Sequence, residues 1–159
     1  MLWIEVPFQT LLFHPCHGLQ GFFNKDLREP SVRKPFREGY HCQGIHERYE
    51  ACRLATKMLS LSEPPTAIFA ASDTQAMGVL EAARNLGIRV PGDLSVIGYD
   101  DIEVAEYLGL TTIRQLLFES GQQGVQLLLN TLAEPPTDPH SIVLPTELIK
   151  RRTTASPHG

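Results

Sequence analysis

The stretch from Pro65 to Asp101, PTAIFAASDTQAMGVLEAARNLGIRVPGDLSVIGYDD, constrains the fold more than any other part of the chain. Ala67–Ala71 is an apolar run too short for a helix, and Ser72-Asp73 closes it. Thr74–Leu86 then carries helical spacing. Thr74, Gly78, Glu81 and Asn85 make a polar stripe, while Ala76, Met77, Val79, Leu80, Ala83 and Leu86 fill the rest. Gly87 ends the helix, and Pro91-Gly92-Asp93 turns the chain into a second strand, Leu94–Gly98. A strand–helix–strand of this length is a right-handed crossover, which makes the two strands parallel neighbours. Their carboxyl ends share one sheet edge, so Ser72-Asp73 and Asp100-Asp101 face one crevice, where open parallel sheets bind ligands.

The same strand–helix rhythm runs along the chain. Leu2–Val6 reads as a strand, Cys16–Arg28 as a helix, Glu29–Glu38 as a polar loop and Gly39–Gly44 as a strand. Glu47–Leu61 reads as a helix burying Ala51, Cys52, Ala55, Met58 and Leu59. A short helical turn to Leu108 follows Asp101, then an extended Thr111–Gln115 and a helix Glu119–Ala133. That last helix has Gly121, Gly124, Val125, Leu128, Leu129 and Leu132 at its apolar positions. Ser141–Leu144 and Thr146–Lys150 read as closing strands. The alternation predicts an α/β fold with a parallel sheet covered on both faces.

The ordered motifs resemble the effector-binding region of the LacI/GalR family of bacterial transcription regulators. They are Ser72-Asp73, Ala76, Gly78, Gly87, Val90-Pro91-Gly92-Asp93, Ser95-Val96, Gly98 and Asp100-Asp101. Downstream come Leu110-Thr111-Thr112-Ile113-Arg114-Gln115, Leu144-Pro145-Thr146-Glu147-Leu148 and Arg151-Arg152. The likeness is dense from Pro64 to Thr154 and thinner from Trp3 to Leu27. It implies a parallel-sheet sandwich of periplasmic binding protein-like type I, mainly the second of two subdomains, without the DNA-binding domain. Residues 1–111 and 139–159 would form that subdomain. Residues 112–138 would be a crossover and helix that pack on a first subdomain in the family. Here that helix is expected to pack on its own subdomain or on a second copy of the chain.

The resemblance also implies site residues. Asp100 matches an aspartate that contacts the effector; read from the residues alone it is equally an N-cap for the turn at Asp101. The reading favours ligand contact for Asp100 and capping for Asp101. Ser72 falls at an effector-contacting position, and Asp73 is the structural partner at the helix start. His46 stands where the family places a stacking aromatic ring, and a surface histidine before a helix is the equal alternative. Gly18 occupies the place of the family's ligand-clamping arginine; His14 or His17 are the substitutes at hand. The family's proline pair between Asp101 and Leu110 is also missing.

Other chemistry is poorly supplied. A net charge of −4 without a basic cluster makes the chain a poor nucleic-acid binder by itself. Three cysteines are too few and too irregular for a disulfide framework and fit a reducing compartment. The spacing of His14, Cys16, His17, His41, Cys42, His46 and Cys52 matches no zinc pattern. No nucleophile elbow, phosphate loop or H-E-x-x-H is present. The start, MLWIEVPFQTLLF, lacks a basic lead-in and cleavage site and reads as a core strand and loop. These features predict a cytoplasmic, non-enzymatic sensor without cofactor or metal, binding a sugar-like metabolite and pairing as a homodimer. Operator DNA would be reached only through a DNA-binding domain absent from this chain. A periplasmic sugar-binding protein of a transport system and a degenerate, dimerising fragment are the alternatives.

Overall fold

The structure is a computed structural model that describes residues 10–13, 40, 42, 44–134 and 141–156. Among these residues five strands form one sheet in chain order, β1 to β5. The strands are β1 (Thr10–Phe13), β2 (Ala67–Ala70), β3 (Ser95–Asp100), β4 (Thr111–Gln115) and β5 (Thr146–Ile149). The first four are parallel, and β5 pairs antiparallel with β4, Arg114 opposite Glu147. Helix α1 (Arg48–Leu59) precedes β2, α2 (Asp73–Asn85) joins β2 to β3, α3 (Glu103–Leu108) joins β3 to β4, and α4 (Leu117–Ala133) follows β4.

Strand pleating sorts the sheet into two faces. Ile68, Ala70, Val96 and Gly98 are buried, while Phe69, Ile97 and Tyr99 on the opposite face are only half-buried. The Phe69 and Tyr99 rings meet edge to face, centroids 6.5 Å apart. The buried face joins Leu54, Ala55 and Met58 of α1 and Ala76, Val79 and Ala83 of α2 in one core. Burying a side chain such as Ile68 or Val79 contributes about 1.5–3 kcal/mol.

Local chemistry sets the helix ends. Ser72 is extended and its Oγ accepts the Gln75 N–H, the capping geometry that starts α2. At the other end Gly87 has φ 70°, Ile88 N donates to Ala83 O and Gly87 N to Arg84 O. Those paired bonds are a Schellman closure, which favours glycine because the left-handed backbone disfavours a Cβ. The following turn is tied by Asp93, whose carboxylate receives both the backbone and the guanidinium of Arg89.

Several expectations are corrected. Gly78, assigned to the polar stripe of α2, is buried against α1: a Cβ there would overlap Arg48 O and lie 2.8 Å from Cys52 N. The periodicity misled because the smallest residue marks the closest helix approach, not solvent. Leu86 is exposed beyond the helix end, and Cys52 is half-buried where full burial was expected. The edge strand lies at Thr10–Phe13, within the segment read as a loop; Leu2–Val6, the helix Cys16–Arg28 and the loop Glu29–Glu38 fall outside the described residues. In the expected strand Gly39–Gly44, Tyr40 is in a helical turn and Cys42 forms a bridge only. Among the described residues Ser141–Leu144 pairs with no strand, and antiparallel closure begins at Thr146. β4 stays in the sheet through Gln115, past the boundary drawn at residue 112. Helix α4 has no fully buried residue, and Leu127 and Thr131 are half-buried.

Candidate functional site

Right-handed crossovers bring the carboxyl ends of β2 and β3 to one edge, and the residues after them sit there together. Asp73, the first residue of α2, has no exposed surface. Its Oδ1 accepts from Thr112 Oγ1 at 2.6 Å and its Oδ2 from Ile102 N at 2.9 Å. A Cβ on Gly98 would overlap Oδ1, so glycine at that position is what admits the carboxylate. Burial pushes the Asp73 carboxyl above its ordinary value, against the pull of these hydrogen bonds.

Asp100 and Asp101 follow at the end of β3, with φ of 114° and 57°. Two consecutive non-glycine residues at positive φ are costly, and the surrounding bonds hold them there. Ile102 N is fixed by Asp73, and Asp101 is paired with Arg114 Nε and with Arg151, each at 2.7 Å. Burial works to raise the Asp101 carboxyl, but the two guanidiniums outweigh it and hold it below the ordinary range. Arg151 is itself fixed by Leu110 O.

Asp100 points elsewhere. Gln115 Nε2 donates to its Oδ1, and no second partner is recorded for this half-buried carboxylate among the described residues. Burial raises its pKa, Gln115 draws it down, Asp73 raises it and His46 draws it down. His46 is exposed, immediately before α1, between exposed Ile45 and Glu47. Of the expected site residues, His46 is thus the one whose charge favours the Asp100 carboxylate.

The remaining expectations divide. Asp73 ties α2 to β4 and the α3 turn. Asp101 does not cap α3: the N-cap is Ile102, with no side-chain cap, because the Asp101 carboxylate is spent on arginines. Ser72 is fully buried and its Oγ accepts the Gln75 N–H. His14, His17 and Gly18 lie outside the described residues. Among the described residues no three His, Cys, Asp or Glu side chains are grouped to hold a metal. Sequence reasoning missed Thr112, Gln115 and Arg151 as site-building residues. Thr112 and Gln115 lie within β4, which adjoins β3, and Arg151 follows β5, the next strand; those positions were the available signal.

A mainly parallel α/β sheet with a carboxylate at the strand ends has the edge at which open α/β sheets bind ligands. The family profile described as periplasmic binding protein-like domain matches residues 20–154, and the chain belongs to that family, in the form found as the effector-binding region of LacI-family regulators. It is 38% identical over 135 residues to the HTH-type transcriptional repressor PurR of Escherichia coli O1:K1 / APEC, covering 84% of this chain and 39% of that protein. A LacI family transcriptional regulator from Enterococcus faecalis V583, solved with bound ribose, superposes with a TM-score of 0.78 at 28% identity, over 94% of this chain and 55% of that one. The transcriptional regulator CelR in complex with cellobiose gives 0.79 at 26% identity, over 91% and 46%. The chain thus spans about two fifths of the curated relative and about half of these solved chains. Among the described residues no helix is long and apolar enough to cross a membrane.

Proposed function

We propose that this chain is the sensor portion of a bacterial LacI-type transcription regulator and that it binds a small sugar-like metabolite at the Asp100 edge of the sheet. The observation that carries the reading is the Asp100 carboxylate, held at positive φ with one oxygen fixed and the residue still half-exposed. A carboxylate so placed accepts hydroxyl hydrogen bonds, which suits a neutral, polyhydroxylated ligand. His46 supplies a second polar group and a ring face. Relatives solved with ribose and cellobiose support the ligand class.

The proposed action is a population shift in a longer cytoplasmic polypeptide. Ligand bound between this unit and a first subdomain favours one closure, and that closure sets the geometry of a DNA-binding part on its operator. No catalytic step is assigned to the chain. Association of two copies through α4 belongs to the same proposal.

Calorimetric titration of the 159-residue chain with ribose and with cellobiose tests the ligand reading. Saturable heat with one sugar is expected, abolished in Asp100→Ala and weakened in His46→Ala. Binding of equal strength in Asp100→Ala would overturn the assignment of the site.

A further inference from the structure

Two adjacent side chains at the end of β4 hold two adjacent carboxylates at the end of β3. Arg114 Nε lies 2.7 Å from Asp101 Oδ2, and Gln115 Nε2 donates to Asp100 Oδ1. Asp100 and Arg114 are register partners in the parallel ladder, so the two pairs sit side by side. After Gln115 the strand ends, Leu116 forms the N-cap of α4 without a side-chain cap, and α4 runs from Leu117 with no buried residue.

The two grips are not equivalent. Arg114 is exposed and shares its guanidinium between Asp101 and Glu147, while Asp101 has Arg151 as a second cation. Losing one contact there leaves others. Gln115 is half-buried, and among the described residues its side-chain bond is the one to Asp100. Among the described residues nothing else fixes the Asp100 side chain. A neutral amide on a carboxylate oxygen also leaves the anion its charge, and so its strength as an acceptor, which an arginine in the same place would have neutralised.

We propose that Gln115 is a positioning residue for the effector site: by pinning one oxygen of Asp100 to the last residue of β4, it aims the carboxylate and passes any displacement of it to the root of α4. This rests on the reading of Asp100 as the effector's acceptor. The route is short: one hydrogen bond, then the backbone from Gln115 through Leu116 into the first turn of the helix. It gives ligand engagement at the sheet edge a direct mechanical connection to an element that lies outside the core.

The test uses carbon-13 carboxyl and backbone amide NMR on the 159-residue chain, as wild type, Gln115→Leu and Gln115→Asn. The asparagine keeps an amide but is one methylene too short, so it separates loss of the bond from loss of folding. In the wild type the amides of Leu116–Ser120 should follow the titration of Asp100. In both variants the Asp100 midpoint should move up, because a hydrogen bond to the anion is gone, and those amides should cease to follow it. The carboxyl signals of Asp73 and Asp101, and the ring of His46, are followed in the same experiment, since these groups face Asp100 or its neighbour. Affinity for ribose or cellobiose, whichever wild type binds, should fall about tenfold by calorimetry, the loss expected for one charge-assisted hydrogen bond. An unmoved Asp100 midpoint in both variants, or α4 amides indifferent to Asp100 in the wild type, overturns the inference. Titrations as expected with neither ribose nor cellobiose binding to wild type leave the inference standing and sink the ligand class proposed above.

Discussion

Thr112 on β4 donates its hydroxyl hydrogen to Asp73 Oδ1 across 2.6 Å, joining the first residue of α2 to a strand two places away in the sheet. Both residues are fully buried, and Oδ2 of the same carboxylate holds the Ile102 N–H before α3. One side chain thus fixes α2, β4 and the α3 turn. Asp73→Ala leaves the Thr112 hydroxyl and the Ile102 N–H unsatisfied and should cost about 2–4 kcal/mol of stability, while Thr112→Val should cost about 1–2 kcal/mol. Urea unfolding of the single and double variants measures both. Strict additivity would show that the two residues do not interact.

The contact between α1 and α2 depends on the absence of one side chain. A Cβ at Gly78 would overlap the backbone carbonyl of Arg48 and crowd Ala51. Backbone cannot rotate away as a side chain does, so Gly78→Ala should destabilise by about 3 kcal/mol despite alanine's higher helix propensity. Thermal unfolding followed by circular dichroism is the check. An unchanged midpoint would mean that the helices separate freely.

Acid should weaken the crevice edge through Asp101. Its folded-state pKa is depressed by Arg151 and Arg114, so its contribution is present above the ordinary carboxylate pKa and is lost as pH falls through the lower folded value. Asp73 and Asp100, whose folded values are raised, slope the other way: their contribution is present below the ordinary carboxylate pKa and is lost as pH rises through the higher folded value. Unfolding free energy measured against pH should therefore lose part of its acid-side slope in Asp101→Asn. A parallel curve for that variant would place the acid sensitivity elsewhere.

Helix α4 carries Phe118, Gly121, Val125, Leu128 and Leu132 at alternating three- and four-residue spacing, the pattern of a helix seam. Phe118 is 80% exposed and Leu132 73%. Exposed apolar stripes of this kind rarely stay solvated. Sedimentation should find the chain self-associating, with Leu128→Glu and Leu132→Glu shifting it to monomer. A monomeric wild type at high concentration would remove the second copy as the occupant of this face.

Much of this architecture was legible in the residues, and the exceptions have physical causes. Strand length, the Gly87 stop and the Pro91-Gly92-Asp93 turn are local signals, so β2, α2 and β3 are placed to within a residue or two. Asp100 and Asp101 were correctly set at one edge, because a crossover has one preferred hand. Their partners were not legible: Gln115 is 15 residues from Asp100, and Thr112 is 39 from Asp73. Such pairings depend on strand register, which no local pattern states. Gly78 failed for a related reason, since hydrophobic periodicity assigns glycine to neither face.

The C-terminal segment adds a temporal dimension to the sheet. Strands β1 to β5 lie side by side in the order in which a ribosome would release them, so the sheet can widen one strand at a time during synthesis. Yet Thr153 donates its hydroxyl to Val96 O and accepts Thr111 N–H, bridging β3 and β4 from a position 57 residues after Val96. A nascent chain that has reached β4 must hold these buried backbone groups without their final partner. The last rivet of this sheet is set after every strand it fastens has already emerged.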